Sequence, residues 1–520
     1  MEKLIKHTIK RISHQKIAKS LSRAQREADY KKRIEKRTGL PIYGPARIGV
    51  RSRDWFDPIY CARNANSISK VIWRQIEAGT YAPKPTRKFE IKKKGGGTRE
   101  IHSFSIPDAA VAKLMYRGIV RRNIRRFSAS SFAYLPDRDI FDAILSLRDF
   151  DRRSKIFATQ IDFEKFFDRI PHQYLNRLLE SNTIHTTRIE RSVLRSFMTH
   201  ESTKWDGSAW VMDGKREIGT PQGSAVSLVL ANLANHELDR QLSLLSGKFV
   251  RYADDVVALS NSYEQALSIE HAFFWHCDQS GLTVNKKKSP GISAFSDVPQ
   301  EIRTTGHIDF LGYRFRFLHT ELSPTVEKRI RSRLSKIVNL HLIHYTKILQ
   351  PGPIRAARVP MSYDWDLLGL ISELRKSIYG GNTESEIVAA ISRGQRIRRM
   401  WGVMSHYHLV DDPAVFKRLD GWLLSVVCRA MRARRLLRQS YALDCPTPTR
   451  PELLSGVWLD PDAWRDNEDG EKVLPELRFP SFVRAWKASR LHFNRFGIGR
   501  VPDTGNGSSQ DLSDLFEYPF

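Results

Sequence analysis

The chain has 520 residues, 41% of them hydrophobic, enough for two to four structural units with a sizeable core, which excludes a compositionally disordered protein. Its net charge of +28 points to a polyanionic partner, because each Lys or Arg that neutralises a phosphate releases a condensed counterion.

In chain order, the first segment, MEKLIKHTIKR, has no apolar core like that of a signal peptide. No later apolar run approaches the roughly 18–20 residues that a bilayer requires, so the expectation is a soluble cytoplasmic protein with no membrane partner. Residues 1–40 carry apolar positions at helical spacing (Leu4, Ile5, Ile9, Ile12, Ile17, Leu21) among dense Lys and Arg, which predicts one or two basic helices. The segment 88–107 alternates, with Phe89 and Ile91 before a glycine turn at Gly95–Gly97 and Ile101, Phe104 and Ile106 after it. This predicts a β-hairpin with a basic tip. Helical spacing returns over 108–125. Residues 155–163, KIFATQIDF, predict an apolar strand ending at Asp162, and 222–244 a helix rich in small residues.

Residues 248–260, KFVRYADDVVALS, predict a second hairpin, with apolar arms around a tip of Ala253, Asp254 and Asp255. A helix over 264–280, a turn at Gly281 and another strand follow. Strands interleaved with helices in this order predict an α+β core. Beyond about residue 320 the pattern turns helical, with an apolar stripe of Ile330, Leu334, Ile337 and Leu340 among basic residues. Segments 365–380, 386–410 and 413–440 continue it. The stretch 501–520 has no Lys or Arg and reads as a flexible acidic tail. Cys61, Cys277, Cys428 and Cys445 lack C-x-x-C spacing, so neither a zinc ribbon nor a redox pair is indicated.

Asp254 and Asp255 sit between Phe249, Val250 and Tyr252 on one side and Val256, Val257 and Leu259 on the other. Adjacent acids in such a setting repel one another and resist burial, and a bound cation compensates both costs. Asp162, at the end of another apolar strand, is the natural third ligand. Phosphoryl transfer from a nucleoside triphosphate uses two divalent cations roughly 3.5–4 Å apart, and Mg²⁺ prefers carboxylate oxygens. The alternative, an ordinary Asp-Asp turn, would stand if the dipeptide were alone.

The surrounding segments are not alone. FVRYADDVVALS (249–260) resembles the signature hairpin of reverse transcriptases, and QIDFEKFFDRIPH (160–172) their first metal-binding motif. GTPQGSAVSLVLANLANHELD (219–239) resembles the motif that holds template and incoming nucleotide. GLTVNKKKS (281–289) and FLGYRF (310–315) resemble the two that follow, and IKKKGGGTREI (91–101) the basic fingers hairpin. The motifs keep the family's order over roughly 80–320.

The resemblance implies a right-hand polymerase of fingers, palm and thumb, with an RRM-like antiparallel palm sheet and an α-helical C-terminal region. It divides the chain into a basic helical extension (1–80), fingers and palm (81–320), a helical thumb or maturase-like region (321–445) and a C-terminal extension (446–520). It implies two Mg²⁺ ions, replaceable by Mn²⁺, on Asp162, Asp254 and Asp255 with the Phe163 backbone carbonyl. Phe167 would be the steric gate against a ribose 2′-hydroxyl, favouring deoxynucleotides; a core aromatic is the alternative. Gln222 and Gly223 would meet nucleotide and templating base. Lys92, Lys93, Lys94 and Arg99 would grip the triphosphate or bind phosphate backbone generally. Lys288 would assist pyrophosphate departure or lie in an exposed basic turn. Tyr252 and Arg138 would touch primer or template, although YLPDRD departs from the family's usual wording there. Leu311, Gly312 and Tyr313 would form the primer grip.

The RYADD and PQG wording is most similar to the group II intron branch. The missing endonuclease and helical C-terminal region make the chain resemble the defence-associated, abortive-infection reverse transcriptases. These imply an RNA template, a structured noncoding RNA in several cases, with dNTPs as substrates, a DNA product and assembly into homo-oligomers. Tyr518 in DLFEYPF is the candidate for protein priming, with a docked aromatic anchor as the alternative. A group II intron-derived maturase is the second reading. An RNA-binding scaffold with a dead core and an RNA-dependent RNA polymerase are further alternatives, the latter opposed by Phe167.

Overall fold

The computed structural model describes residues 1–38, 53–92, 98–150, 155–181, 183–245, 247–348, 364–380, 382–395, 402–440, 447–459 and 476–497. Lys93, Lys94, the turn at Gly95–Gly97, Cys445 and the tail with Tyr518 lie outside the described residues. In chain order the strands are β1 (Thr86–Lys92), β2 (Thr98–Ser103), β3 (Phe157–Asp162), β4 (Glu201–Trp205), β5 (Trp210–Lys215), β6 (Lys248–Tyr252), β7 (Asp255–Ser260), β8 (Gly291–Phe295), β9 (Thr304–Thr305), β10 (Ile308–Phe310), β11 (Tyr313–Phe315) and β12 (Thr320–Leu322).

They form a four-stranded sheet in the order β2-β1-β4-β5, a five-stranded sheet in the order β6-β7-β3-β8-β9, and a three-stranded sheet β10-β11-β12. The five-stranded sheet departs from a fully antiparallel arrangement at one edge. There the loop 296–303 brings Thr304–Thr305 back beside Ala294 and Phe295 in the same direction as β8. The central pairs, β6 with β7, β7 with β3 and β3 with β8, are antiparallel.

The described residues fall into two compact units, Met1–Ala28 with Pro45–Gly306, and Asp29–Gly44 with His307–Phe520. In the first, the apolar positions of the sheet arms and helices share one core that includes Ile72, Ile119, Phe163, Phe166, Phe197, Leu230 and Phe273. Ile5 and Ile9, from the single basic helix Glu2–Thr38, are buried in that same core.

Local chemistry sets the helix ends. Ser105 caps the helix Ile106–Asn123 by accepting from Asp108 N, 3.3 Å away. The buried Asp108 carboxylate in turn accepts from Ser105 Oγ (2.6 Å), Tyr81 OH (2.7 Å) and Lys84 N (3.1 Å). Three donors satisfy a group that burial nonetheless pushes up to about 6. The helix Tyr263–Ser280 starts at the Ser262 cap and stops at Gly281, whose φ of 72° lies in the left-handed region that glycine adopts without strain. The expected helix over 222–244 is two helices, Ala225–Ala234 and His236–Leu244, with Asn235 as C-cap of one and N-cap of the next. Asn235 leaves helical geometry at φ −97°, ψ 4°, in the bridge region that interrupts a helix.

The second unit joins the three-stranded sheet to helices. Ile330, Leu334 and Ile337 of the helix Pro324–Asn339 are buried, as their spacing predicts; Leu340 lies past the helix end. The helix Ala414–Gln439 carries Arg434, buried with Asp364 (2.6 Å) and Asp366 (3.0 Å). Cys61, Cys277 and Cys428 are free thiols. Among the described residues no helix is long and apolar enough to cross a membrane.

Candidate active site

Asp162 is the last residue of β3 and pairs across the sheet with Asp255, the first residue of β7. Directly opposed residues on antiparallel strands have Cα atoms about 4.5–5.5 Å apart and share one face. The hairpin of β6 and β7 closes through a two-residue turn, Ala253–Asp254, with Tyr252 opposite Asp255. The tip is thus one residue shorter than the alternation predicts, because Asp255 already pairs in the ladder. The register therefore gathers Asp162, Asp254 and Asp255 from two chain regions to one end of the sheet.

At that end of the sheet the acids act on one another. Burial, then the charges of Asp162 and Asp254, push the Asp255 carboxyl up to about 7. Burial and the Asp162 charge raise Asp254 as well. Asp162 is held by Lys288 Nζ at 3.0 Å and accepts from Asn285 Nδ2 at 3.3 Å. Its N–H donates to Ser289 Oγ at 3.0 Å. Among the described residues no group of three or more His, Cys, Asp or Glu side chains is placed so that it could hold a metal ion as it stands; one Asp162 oxygen is engaged by the lysine. Neighbouring carboxylates, two of them raised by burial first and then by adjacent acids, are a donor set that a hard divalent cation would neutralise, and the absence of His or Cys among them fits Mg²⁺ rather than zinc.

The neighbouring expected residues take several environments. Phe163 bridges to Val284, but the hydrogen bonds at this bridge run from Glu164 N to Thr283 O and from Asn285 N to Asp162 O, both 2.8 Å. The Phe163 carbonyl is outside that pairing. Phe167 is half-buried, edge-on to Phe166 (5.6 Å between centroids) and to Tyr134 (6.3 Å). Gln222 donates from Nε2 to both Asp168 oxygens at 3.1 Å, while its carbonyl accepts from His102 N at 2.8 Å. Gly223 has φ +122°, and a Cβ there would stand 2.4 Å from His102 O. Only glycine allows this loop to lie against β2.

Arg99 is exposed on β2, opposite Ile91. Lys92 ends β1. Tyr252 is half-buried. Arg138 is tied within the chain: Nη2 donates to Asp137 (2.8 Å), and Nη1 to Ser128 O (2.8 Å) and Ser131 O (3.2 Å). Leu311 and Gly312 form the β10–β11 turn, with φ of 52° and 85°. Tyr313 is 1% exposed in the second unit and donates to His406 O, so its ring faces the core.

A family model for the reverse transcriptase (RNA-dependent DNA polymerase) matches residues 91–315. Those residues form a reverse transcriptase domain. An uncharacterised 91 kDa protein in the cob intron of Schizosaccharomyces pombe is 24% identical over 293 residues, 44% of this chain and 35% of that protein. The group II intron-encoded protein LtrA of Lactococcus lactis subsp. cremoris is 27% identical over 207 residues, 39% of this chain and 33% of LtrA. The chain thus spans about a third of these relatives' length. Telomerase from Candida albicans, solved with a fragment of telomeric RNA, aligns with a TM-score of 0.38 and 13% identity over 70% of this chain and 66% of that one. A score that low carries no argument.

The reverse transcriptase domain also uses residues that the sequence patterns did not single out. Arg251, in the arm beside the acidic turn, is fully buried. Nε and Nη2 donate to the two Asp239 oxygens at 2.6 and 2.5 Å, Nη1 to Ala253 O at 2.8 Å, and Nη2 to Ser131 Oγ at 2.6 Å. Ala253 has φ +63°, a conformation that costs an L-residue about 1–2 kcal/mol. The guanidinium clasps the carbonyl of that strained residue and so fixes the turn that presents Asp254. Asp239 closes the motif at 219–239, and its position at a motif end was the one signal available. Tyr134 packs on Phe167, and burial first and then the Asp254 charge push its hydroxyl well above the ordinary phenol range, so the YLPDRD segment begins beside Phe167 and the acidic turn.

Proposed function

We propose that the protein is an RNA-directed DNA polymerase that extends a primer with deoxynucleotides. The observation that carries this reading is the cross-strand pairing of Asp162 with Asp255 beside Asp254, inside the reverse transcriptase domain. Asp162, Asp254 and Asp255, with the Phe163 carbonyl, would hold Mg²⁺. The bound cations would activate the primer 3′-hydroxyl and stabilise the triphosphate and leaving pyrophosphate. The side chains do the rest. Phe167 would close the space a 2′-hydroxyl needs. Gln222, oriented by Asp168, would border the nucleotide, and Gly223 would let the backbone approach it. Arg99 would bind triphosphate oxygens. Lys288, held against Asp162, would stand ready to neutralise or protonate the leaving group.

Asp254→Ala should abolish dNTP incorporation on a primed RNA template while leaving the circular dichroism melt within a few degrees; normal incorporation would remove the assignment. Phe167→Ala should admit ribonucleotides, read as the ratio of kcat/KM for rNTP and dNTP. An unchanged ratio would assign Phe167 to the core alone.

For the cellular role we propose anti-phage defence in the cytoplasm, templated by an associated noncoding RNA, with residues 81–320 as fingers and palm and 321–445 as thumb. The names of the relatives favour a second reading, a group II intron-derived maturase. Defence predicts that phage protection disappears with Asp254→Ala. A maturase predicts splicing that survives it.

A further inference from the structure

The loop 219–223 is tied down on two sides. Its first half sits on the segment that carries Phe167: Gly219 N donates to Ile170 O (2.8 Å), Thr220 N to Phe167 O (2.6 Å), and His172 Nε2 to Gly219 O (2.7 Å). Its second half leans on β2. Gln222 O accepts from His102 N at 2.8 Å, and Gly223 lies so close to the His102 carbonyl that no Cβ fits between them. The position of Gln222 and Gly223 is therefore set by where His102 stands.

His102 in turn is held by its ring. Arg216 Nη2 lies 2.7 Å from His102 Nε2. A guanidinium only donates, so that nitrogen carries the lone pair and the proton of the neutral ring sits on Nδ1. Nδ1 is 3.0 Å from Thr86 Oγ1 and 3.2 Å from His200 Nε2. His200 Nδ1 is 2.9 Å from Phe197 O, which only accepts, so His200 Nε2 likewise carries a lone pair. The hydrogen bonds thus run one way, from Arg216 through His102 to His200 and the Phe197 carbonyl. Both rings are buried and held neutral: burial first and then the Arg216 charge push His102 down to about 3, and burial first takes His200 down to about 4. A proton on either accepting nitrogen would set two donors face to face.

Arg216 also reaches the start of the loop. Its Nη1 donates to Ile218 O at 3.2 Å, and its own N–H to His200 O at 3.1 Å, across the base of the β4–β5 hairpin. One guanidinium therefore spans both ends of the loop, Ile218 directly and Gln222 through His102. We propose that Arg216 is a positioning residue: acting through Ile218 and His102, it fixes the loop that carries Gln222 and Gly223 and so sets the affinity for the incoming deoxynucleoside triphosphate. The proposal rests on the polymerase reading, which supplies the ligand of that loop. The competing view is a staple at the base of the hairpin with no bearing on the nucleotide.

The experiment measures steady-state dNTP incorporation by the full chain on a primed RNA template, with equilibrium binding of dNTP on a dideoxy-terminated primer as a second readout. Arg216→Ala should raise KM and Kd for dNTP about tenfold, the effect of one hydrogen bond to a charged group, and change kcat much less. His102→Gln, whose amide can accept from Arg216 and donate onward, should keep most of the affinity. His102→Phe, which fills the space without an acceptor, should match Arg216→Ala, and the double variant should be no worse than either. Equal KM in His102→Gln and His102→Phe would overturn the proposal, and would do so even if Arg216→Ala failed to fold. So would Arg216→Ala with a lowered melting midpoint and an unmoved KM, the signature of a staple. The two readings fail separately. An unaltered chain that incorporates no dNTP removes the polymerase reading and takes this proposal with it; normal incorporation with a KM indifferent to Arg216 and His102 removes this proposal alone.

Discussion

A guanidinium with no access to water is stable only with a full set of acceptors, and Arg251 has one: both oxygens of Asp239, the Ala253 carbonyl and the Ser131 hydroxyl. Removing one partner of a buried ion pair leaves the other uncompensated, at a cost on the order of 3–5 kcal/mol. Arg251→Ala should therefore lower stability by about that much, read from urea denaturation midpoints. It should lower kcat as well, because the turn bearing Asp254 loses its anchor. Arg251→Lys should recover only part of each, since an ammonium cannot reproduce the fork geometry. A midpoint unchanged in Arg251→Ala would show that the clasp carries no load. Sequence alone could not locate this residue: an arginine between Val250 and Tyr252 reads as one more charge, and its partners lie 12 and 120 positions away. Asp162, Asp254 and Asp255 were legible because each interrupts an apolar strand at its end.

At the level of single elements, the start of the helix Ile106–Asn123 carries a titrating group of its own. Asp108 is raised by burial to about 6 against the restraint of its three donors. The folded chain thus holds this proton more tightly than the unfolded chain. Its contribution to stability is complete below about pH 4 and is lost as pH rises through about 6, amounting to roughly 3 kcal/mol at most. Asp108→Asn should flatten the stability profile between those limits, measured as denaturation midpoints against pH; a profile as steep as the original would exclude Asp108 as its source. The hairpins themselves were readable from alternation and turn residues. The break at Asn235 was not, because the apolar spacing runs through it. Nor was the polarity of the first sheet. Phe89 and Ile91 alternate as core residues do, yet both are exposed, while His102 on the opposite side of the sheet is buried.

Across the whole molecule, a charge of +28 makes affinity for nucleic acid a function of ionic strength. If the bound duplex engages about six phosphates, binding should weaken on the order of a thousandfold between about 50 and 200 mM salt. Fluorescence anisotropy with a labelled RNA duplex measures the slope, and a flat response would mean that the basic surface serves something other than a polyanion. The mixed architecture and the order of the motif segments were visible in the sequence. The grouping into two compact units was not, since the division falls at Gly306 and His307, inside a run of strand-like alternation rather than in a Pro- or Gly-rich linker.

The pairing of residue 162 with residue 255 also makes the proposed catalytic centre a matter of parity. Side chains on a strand alternate between two faces, so a single-residue insertion or deletion within Phe157–Asp162 would send the first acid to the far surface, behind the sheet, while leaving the strand fully bonded. A two-residue change would keep it on the correct surface but displaced along the ladder by nearly 7 Å. The arms of this sheet can therefore exchange one apolar residue for another with little consequence, but they cannot change length.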